Sequence, residues 1–394
     1  QIFKNTIDQC IALANQHLAV DLYDVMYPEE ASSPYDINEI QWTPISLFII
    51  GYALSKYIDY LGVKADAYIG HSIGEYVAAT LSGVFSLEDA IKIVIARGQL
   101  MQSMQPGSML AINAKEEAIQ SIVKECNCEI AVINSIEDVV ASGSSEDIEK
   151  LQKVLDKQAI PWVKINGSVA GHSKMMEQAT IEFEGVFQHI KFNKPTKHFI
   201  SNVTGEIAKE EVTTAKYWCK QLRNTVQFAK GINSLSKHFN HQINFIEIGP
   251  GKGLGYFVHK HKNANNYKSI QTIQLLPSAK ETKINKDQVY QHIAYKEDII
   301  AKLWMHNIIQ KPNEIKLFTH AKLQTSLPTY QFDYQKYLAR KQIYFQGYAP
   351  NSFQVAEKEN LTFFEKIKQK RLEVLQNIDQ AKLSEKSKEF TKGI

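Results

Sequence analysis

Ala67-Tyr-Ile-Gly-His-Ser-Ile-Gly-Glu-Tyr-Val-Ala-Ala79 reads as a short apolar strand, a tight turn, and a helix opening on Glu75. A serine between two glycines in that setting is the nucleophile-elbow arrangement. At the tip of so sharp a turn the backbone is strained, so the residues two positions away must be small, and Gly70 and Gly74 are. Ser72 is then presented at a helix N-terminus. There the free N–H of Ile73 and the positive end of the helix dipole face any oxyanion formed by attack. Five common residues recur by chance, so the flanking strand and helix carry the reading of Ser72 as a candidate nucleophile.

The rest of the composition bounds the answer. The chain has 394 residues, 44% hydrophobic and 22% charged, as an ordinary globular protein does, and its length allows two or three units. A net charge of +3 is too small to argue for nucleic acid or an anionic membrane as partner. Four cysteines (Cys10, Cys126, Cys128, Cys219) are too few for a disulfide scaffold, and Cys126-Asn-Cys128 lacks a second ligand pair, so no metal site is expected. Reduced thiols in a cytoplasmic protein are the expectation. No apolar run reaches transmembrane length, and no signal peptide is read at the start.

Upstream of the elbow, residues 1–30 read as a helix with Ile7, Cys10, Ile11 and Leu13 apolar, followed by an acidic turn. Residues 40–63 form a long apolar-faced helix, and 87–103 another, which buries Ile91, Ile93, Val94 and Leu100 and projects Arg97. From Gly107 the rhythm changes to strand 108–114, helix 115–124, strands 129–134 and 138–142, helix 146–157 and strand 160–165. That β-α-β-β-α-β order predicts a ferredoxin-like unit inserted into the main domain. Alternation then resumes with helix 174–189, strand 197–203, helices 213–222 and 229–238, and strand 244–248. A Gly249-Pro-Gly-Lys-Gly253 loop leads into a further helix. Beyond about 280 the chain turns polar, with a helix at 295–306 and the stretch Ser326-Leu-Pro-Thr-Tyr-Gln-Phe-Asp333. Residues 354–394 are highly charged, with Phe364, Ile367, Leu375 and Ile378 spaced as a narrow stripe; they read as a solvated tail or a linker helix.

Three linked motifs carry a resemblance: Gly70-His-Ser-Ile-Gly-Glu-Tyr76, Gly83-Val-Phe-Ser-Leu-Glu-Asp89 and Ala96-Arg-Gly-Gln-Leu-Met-Gln102. In this order and spacing the chain resembles the malonyl-CoA:acyl carrier protein transacylase family. The likeness is greatest to the acyltransferase domains of modular type I polyketide synthases, and it runs from about Phe3 to Tyr337. Residues 326–333 are similar to the linker that follows such domains. The resemblance implies an α/β fold, a hydrolase-like parallel-sheet large subdomain with the ferredoxin-like small subdomain inserted. The large subdomain takes 1–106 and 167–280, the small subdomain 107–166, the post-acyltransferase linker 281–340, and a charged helical tail or linker 341–394. The family opens on a strand ending Gly-Gln-Gly-Ser-Gln, whose glutamine N–H is a second oxyanion donor. This chain starts at Gln1-Ile-Phe, so an N-terminally short chain, missing that strand and weak in activity alone, is the expectation.

The same resemblance assigns roles. A serine alcohol needs a base, and the residues alone do not single one out of twelve histidines. The family's histidine falls on His172, in Ser168-Val-Ala-Gly-His-Ser-Lys174. No acid between Ser72 and His172 stands where a triad would want it. The family orients its histidine through a backbone carbonyl in the segment Tyr217–Arg223, by position Gln221. Arg97 would grip the free carboxylate of the malonyl group, a two-point contact that lysine cannot imitate. The selectivity pocket would include His71, Val169 and Gly171. Ile73 suits malonyl, but neither the His-Ala-Phe-His nor the Tyr-Ala-Ser-His motif is present, and the extender stays open. The implied reaction loads malonyl or a related extender from a CoA thioester onto the phosphopantetheine of an acyl carrier protein. It passes through a Ser72 acyl-enzyme, with no cofactor bound by the domain itself and a ketosynthase as neighbouring domain. Two rivals remain at this point: a serine acyl hydrolase such as an editing thioesterase, and a catalytically degenerate scaffold.

Overall fold

The computed structural model describes residues 1–28, 34–165, 167, 169–239, 242–251, 253–265, 270–276 and 299–309. All of these fall within one compact unit, Gln1–Leu317. The stretch 326–333 and the tail 354–394 lie outside the described residues, as does most of the segment 281–340.

Three helices build one layer. The sequence from 1 to 30 gives two helices rather than one, α1 (Ile2–Ala14) and α2 (Leu22–Met26), because Asp21 caps the second by accepting from Tyr23 N. The long α3 (Thr43–Tyr60) starts with Pro44 in its first turn and buries Ile45, Phe48, Ile49 and Leu54. Strand β1 (Ala67–Ile69) ends at the elbow and α4 (Gly74–Leu81) leaves it. Helix α5 (Leu87–Ser103) opens on the Ser86 cap, whose Oγ accepts from Asp89 N at 3.0 Å.

The next elements form the small subdomain: β2 (Gly107–Ile112), α6 (Glu116–Glu125), β3 (Glu129–Ser135), β4 (Asp138–Ser144), α7 (Ser145–Lys157) and β5 (Trp162–Ile165). Its antiparallel sheet has the order β3-β4-β2-β5, the ferredoxin-like arrangement the element order predicts. Period-2 alternation gives the sheet two buried faces. Leu110, Ile112, Val139 and Ala141 pack under α6 and α7 with Ile119, Val123, Ile148 and Leu151. Met109, Ala111, Val132 and Val140 face the other way, onto Val226, Phe228 and Ile232 of the large subdomain. The two ends of the insertion meet: a Cβ added at Gly107 would lie 2.5 Å from Ala170 Cβ.

The chain then runs through a 3-10 turn (Lys174–Met176), α8 (Glu177–Val186), β6 (His198–Ile200), α9 (Ala215–Arg223), α10 (Phe228–His238), β7 (Ile243–Glu247), α11 (Gly253–Asn265) and β8 (Ile270–Gln274). β6 returns parallel to β1, pairing Tyr68 with Phe199, and β8 lies parallel to β7. The expected helix 174–189 is split by 3-10 turns at both ends, and β8 was not foreseen, because an apolar pair spaced through polar residues (Ile270-Gln-Thr-Ile273) gives a weak signal. Of the helix expected at 295–306, residues 299–306 are described and 299–305 are helical, and Ile300 and Leu303 pack with Ile58, Leu61 and Val63 at the end of α3.

The main core closes on α9. Trp218 is fully buried, with ring centroids 4.7 Å from Tyr76 and 5.2 Å from Phe85, and its Nε1 donates to Val212 O at 2.9 Å. Trp218→Ala removes this packing and leaves the Val212 carbonyl unpaired. It is expected to cost about 3–5 kcal/mol of unfolding free energy, measured by denaturant titration.

Candidate active site

Ser72 sits at the tip of the elbow with φ +50°, the left-handed region that a side chain adopts only under constraint. The turn around it is closed by Gly74 N to His71 O at 2.9 Å and Glu75 N to Ser72 O at 3.1 Å. A Cβ at Gly70 would stand 2.1 Å from the Gly74 carbonyl carbon and 2.2 Å from Glu75 N, so only glycine fits there. Gly74 differs from the sequence-based expectation: nothing lies within 4 Å of a Cβ placed on it.

Two side chains from distant elements grip the elbow backbone. Asn202 Oδ1 accepts from Ser72 N at 2.8 Å while its Nδ2 donates to Gly70 O at 2.8 Å. Gln221 Nε2 donates to Ser72 O at 2.9 Å. Ile73 is the N-cap of α4 in helical geometry, and its amide has no hydrogen-bond acceptor among the described residues. It is thus a free donor beside the Ser72 hydroxyl.

His172 reaches the hydroxyl from the segment just after the small subdomain, also with positive φ (+56°) and 4% exposed. Its Nε2 is 2.8 Å from Ser72 Oγ and its Nδ1 is 3.1 Å from Asn224 O. A carbonyl only accepts, so Nδ1 carries the proton and Nε2 presents its lone pair to the serine. The orienting carbonyl is therefore that of Asn224, three residues beyond the expected Gln221, whose own backbone adds a lesser contribution and whose side chain instead holds the elbow. Burial, reinforced by the Arg97 charge and then by His71, pulls the His172 imidazole down to about 3. It is neutral, and free to take a proton, across the physiological range.

Arg97, 3% exposed on α5, donates from Nη2 to Ser72 Oγ at 3.2 Å, and its Cζ lies 5.8 Å from the Tyr76 ring centroid. It forms no ion pair among the described residues, and its Nε is buried without a partner. A guanidinium stays charged, so the site holds a desolvated cation with no anion of its own.

The remaining expected residues gather around the same point. His71 is half-buried, with its Nε2 2.8 Å from Asn134 Oδ1 and its ring edge-on to Phe228 at 5.4 Å. Val169 is 7% exposed, and a Cβ on Gly171 would touch only Met101 Cε at 3.6 Å and Met109 Sδ at 4.0 Å. Sequence reasoning did not single out Asn202, Asn224 or Asn134. A buried asparagine ending the apolar strand of 197–203 was the one signal available. Among the described residues, no group of three or more His, Cys, Asp or Glu could hold a metal, and no helix is long and apolar enough to cross a membrane.

Comparison with known proteins places this geometry in context. Residues 1–294 match the family described as "Acyl transferase domain". The chain is 27% identical over 346 residues to the polyketide synthase GfsA of Streptomyces halstedii, covering 85% of this chain and 4% of that protein. It is 31% identical over 254 residues to the mycoketide-CoA synthase of Mycobacterium tuberculosis strain H37Rv, covering 64% of this chain and 6% of that protein. The chain thus spans a small part of the length of these curated relatives. Among solved structures, it superposes on the acyl transferase domain of SpnD, in complex with 2-(pent-4-yn-1-yl)malonyl, with TM-score 0.69 and 25% identity, covering 78% of this chain and 71% of that one.

The contrast between the two elbow glycines is testable. Gly70→Ala is expected to destabilise the fold by about 3 kcal/mol or more through backbone overlap, whereas Gly74→Ala should change stability by less than about 1 kcal/mol. Chemical denaturation of both variants checks this.

Proposed function

The chain belongs to the acyl transferase domain family, and on that premise we propose that it moves a malonyl-type acyl group from CoA to an acyl carrier protein through an ester on Ser72. The observation that carries the reading is Arg97: a buried cation without an acid partner, 3.2 Å from the Ser72 hydroxyl. An acyl thioester bearing a free carboxylate would supply the missing anion. Acetyl-CoA would leave it unpaired, which is a means of selection by an unmet buried charge.

His172 Nε2 takes the proton as Ser72 Oγ attacks the thioester carbon, and the oxyanion is met by the Ile73 N–H. Collapse expels the CoA thiolate, which His172 reprotonates. The acyl ester then waits for the phosphopantetheine thiol. His172 deprotonates that thiol, the thiolate attacks the ester, and the proton returns to Ser72 Oγ. A carbonyl at Nδ1 fixes the tautomer but stabilises an imidazolium less than a carboxylate would, which suits an ester that must outlast contact with water. The ligand of the SpnD domain, a malonyl derivative, supports a carboxylate-bearing extender here. The lack of a side chain at Gly171, where a Cβ would meet only the flexible Met101 and Met109 side chains, fits malonyl or a branched relative. The proposal extends to the boundaries 107–166 for the small subdomain and 281–340 for the linker. It includes a ketosynthase neighbour in a larger multienzyme and a cytoplasmic setting.

Intact-protein mass spectrometry after incubation with malonyl-, methylmalonyl- and acetyl-CoA is expected to give a malonyl- or methylmalonyl-sized adduct that is absent in Ser72→Ala. Arg97→Ala should reduce the preference for malonyl over acetyl by about tenfold or more, the scale of a lost charge-assisted contact. Free acid forming as fast as CoA is released would favour a hydrolase, and no adduct from any donor would overturn the reading.

The pH dependence follows from His172. Its neutral form is lost only as pH falls through its depressed value of about 3. Labelling of Ser72 by an uncharged fluorophosphonate should therefore hold its rate well below pH 6.5. Arg97→Gln, by removing the second cause of that depression, should move the acid limb upward. A limb near pH 6.5 in both proteins would contradict this assignment of the base.

A further inference from the structure

Beneath the elbow lies an acid that the reaction does not use. Glu75 is 0% exposed. Its Oε1 accepts from Asn202 N at 3.1 Å and from the Tyr217 hydroxyl. Its Oε2 is buried with no partner. A buried carboxylate oxygen without a partner is costly as it stands. A proton on the carboxyl removes the charge that burial disfavours.

No cation faces Glu75 among the described residues, and the hydrogen bonds that favour its charged form, first from Tyr217 and then from Asn202 and Gln221, count for less than burial. From α9 comes the Tyr217 phenol, from the 3-10 turn Glu210–Thr213 the Glu211 carboxylate, and on its own helix Tyr76. Ser201 and Asn202 beyond β6 are uncharged. Arg97 lies over the Tyr76 ring and makes no ion pair with Glu75 among the described residues.

We propose that Glu75 is a positioning residue held as the neutral acid, tying Asn202 to Tyr217 on α9, the helix that carries Gln221, so that both clamps keep Ser72 in its left-handed backbone geometry. Of the two side chains that hold the elbow, Asn202 at Ser72 N is anchored by its backbone N–H on Glu75, and Gln221 at Ser72 O lies one helical turn after Tyr217, whose hydroxyl donates to the same carboxyl. Burial supports the neutral form by pushing the carboxyl from 4.5 to about 7. Ionisation above that value leaves a buried charge with no cation beneath the elbow and slackens the grip on Ser72. The inference rests on Ser72 being the nucleophile of the proposed transfer.

The test compares wild type, Glu75→Gln and Glu75→Ala in single-turnover acylation by malonyl-CoA from pH 5 to 9, with infrared spectra and melting curves on the same proteins. The glutamine variant, isosteric and always neutral, should stay within about threefold of wild type below pH 7 and keep its rate at higher pH, where wild type declines. The alanine variant should lose about tenfold to a hundredfold in acylation rate with its preference among donors unchanged, the scale of a misplaced reacting atom. Wild type should show a protonated-carboxyl carbonyl band at pH 6 that Glu75→Gln lacks. Because the folded carboxyl holds its proton more tightly than the unfolded one, wild-type stability should fall relative to the glutamine variant as pH rises from 4.5 to about 7 and level off above. A glutamine variant as slow as the alanine one, an alkaline decline that persists in it, or the absence of the band would overturn the proposal. If wild type itself takes no acyl group, the transfer reading fails, and the band and the pH-dependent melting still decide the state of Glu75.

Discussion

Ser72 is held in a backbone conformation that costs on the order of 1–3 kcal/mol for a residue with a side chain, and much of the large subdomain is arranged to sustain it. Three hydrogen bonds hold the elbow backbone, Asn202 Nδ2 to Gly70 O, Gln221 Nε2 to Ser72 O and Ser72 N to Asn202 Oδ1, and each contributes about 0.5–1.5 kcal/mol net. Together they match the strain. Neither partner residue is local: Asn202 follows β6, and Gln221 sits on α9 with Trp218. The parallel pairing of β1 with β6 and the aromatic packing of α9 are therefore what bring the clamps to the turn. Gly70 is the counterpart in the chain itself, the position where no side chain fits.

The electrostatics of the site follow from burial more than from pairing. Surface ion pairs such as Lys4 with Asp8 at 2.7 Å are worth little in water. The groups that matter are those denied water: His172 pushed down and left neutral, Glu75 pushed up, and Arg97 still charged but alone. Desolvating a cation costs several kcal/mol unless an anion repays it. The fold carries that cost in its free state, and a carboxylate-bearing ligand would relieve it. One placement thus serves affinity for an acid and holds the neighbouring imidazole in its basic, proton-accepting form.

Legibility in the sequence followed the range of the interactions. The elbow, α5 and the β-α-β-β-α-β insertion are local patterns, and their elements lie within a few residues of the expected bounds. Ser72, His172 and Arg97 come together although 25 to 100 residues separate them from Ser72. That convergence was legible through linked motifs, since no periodicity reports it. Asn224 was displaced from the expected Gln221 because the motif marks helix α9, whereas the acceptor is the residue just past its end, the C-cap with φ −90° and ψ 162°. Glu75 was in plain view as the acid opening α4. A first-turn acid normally faces water and the helix dipole, and only the packing of α9 and β6 over it reverses that reading.

The segment around Asn224 also joins the two subdomains. Val226 N donates to Ala131 O at 2.9 Å and Ile133 N to Val226 O at 2.9 Å, a parallel bridge that extends the small subdomain's sheet past β3. Arg223 anchors the same stretch by a two-point contact with Glu129, at 2.8 and 3.2 Å. Two residues from this bridge the Asn224 carbonyl receives His172 Nδ1, and from the other end of β3 Asn134 reaches His71 at 2.8 Å. One strand of the insertion is therefore in register with both histidines that flank Ser72. The inserted unit cannot shift along β3 without disturbing the carbonyl that selects the imidazole tautomer, so its seat on the large subdomain is part of the geometry of the base.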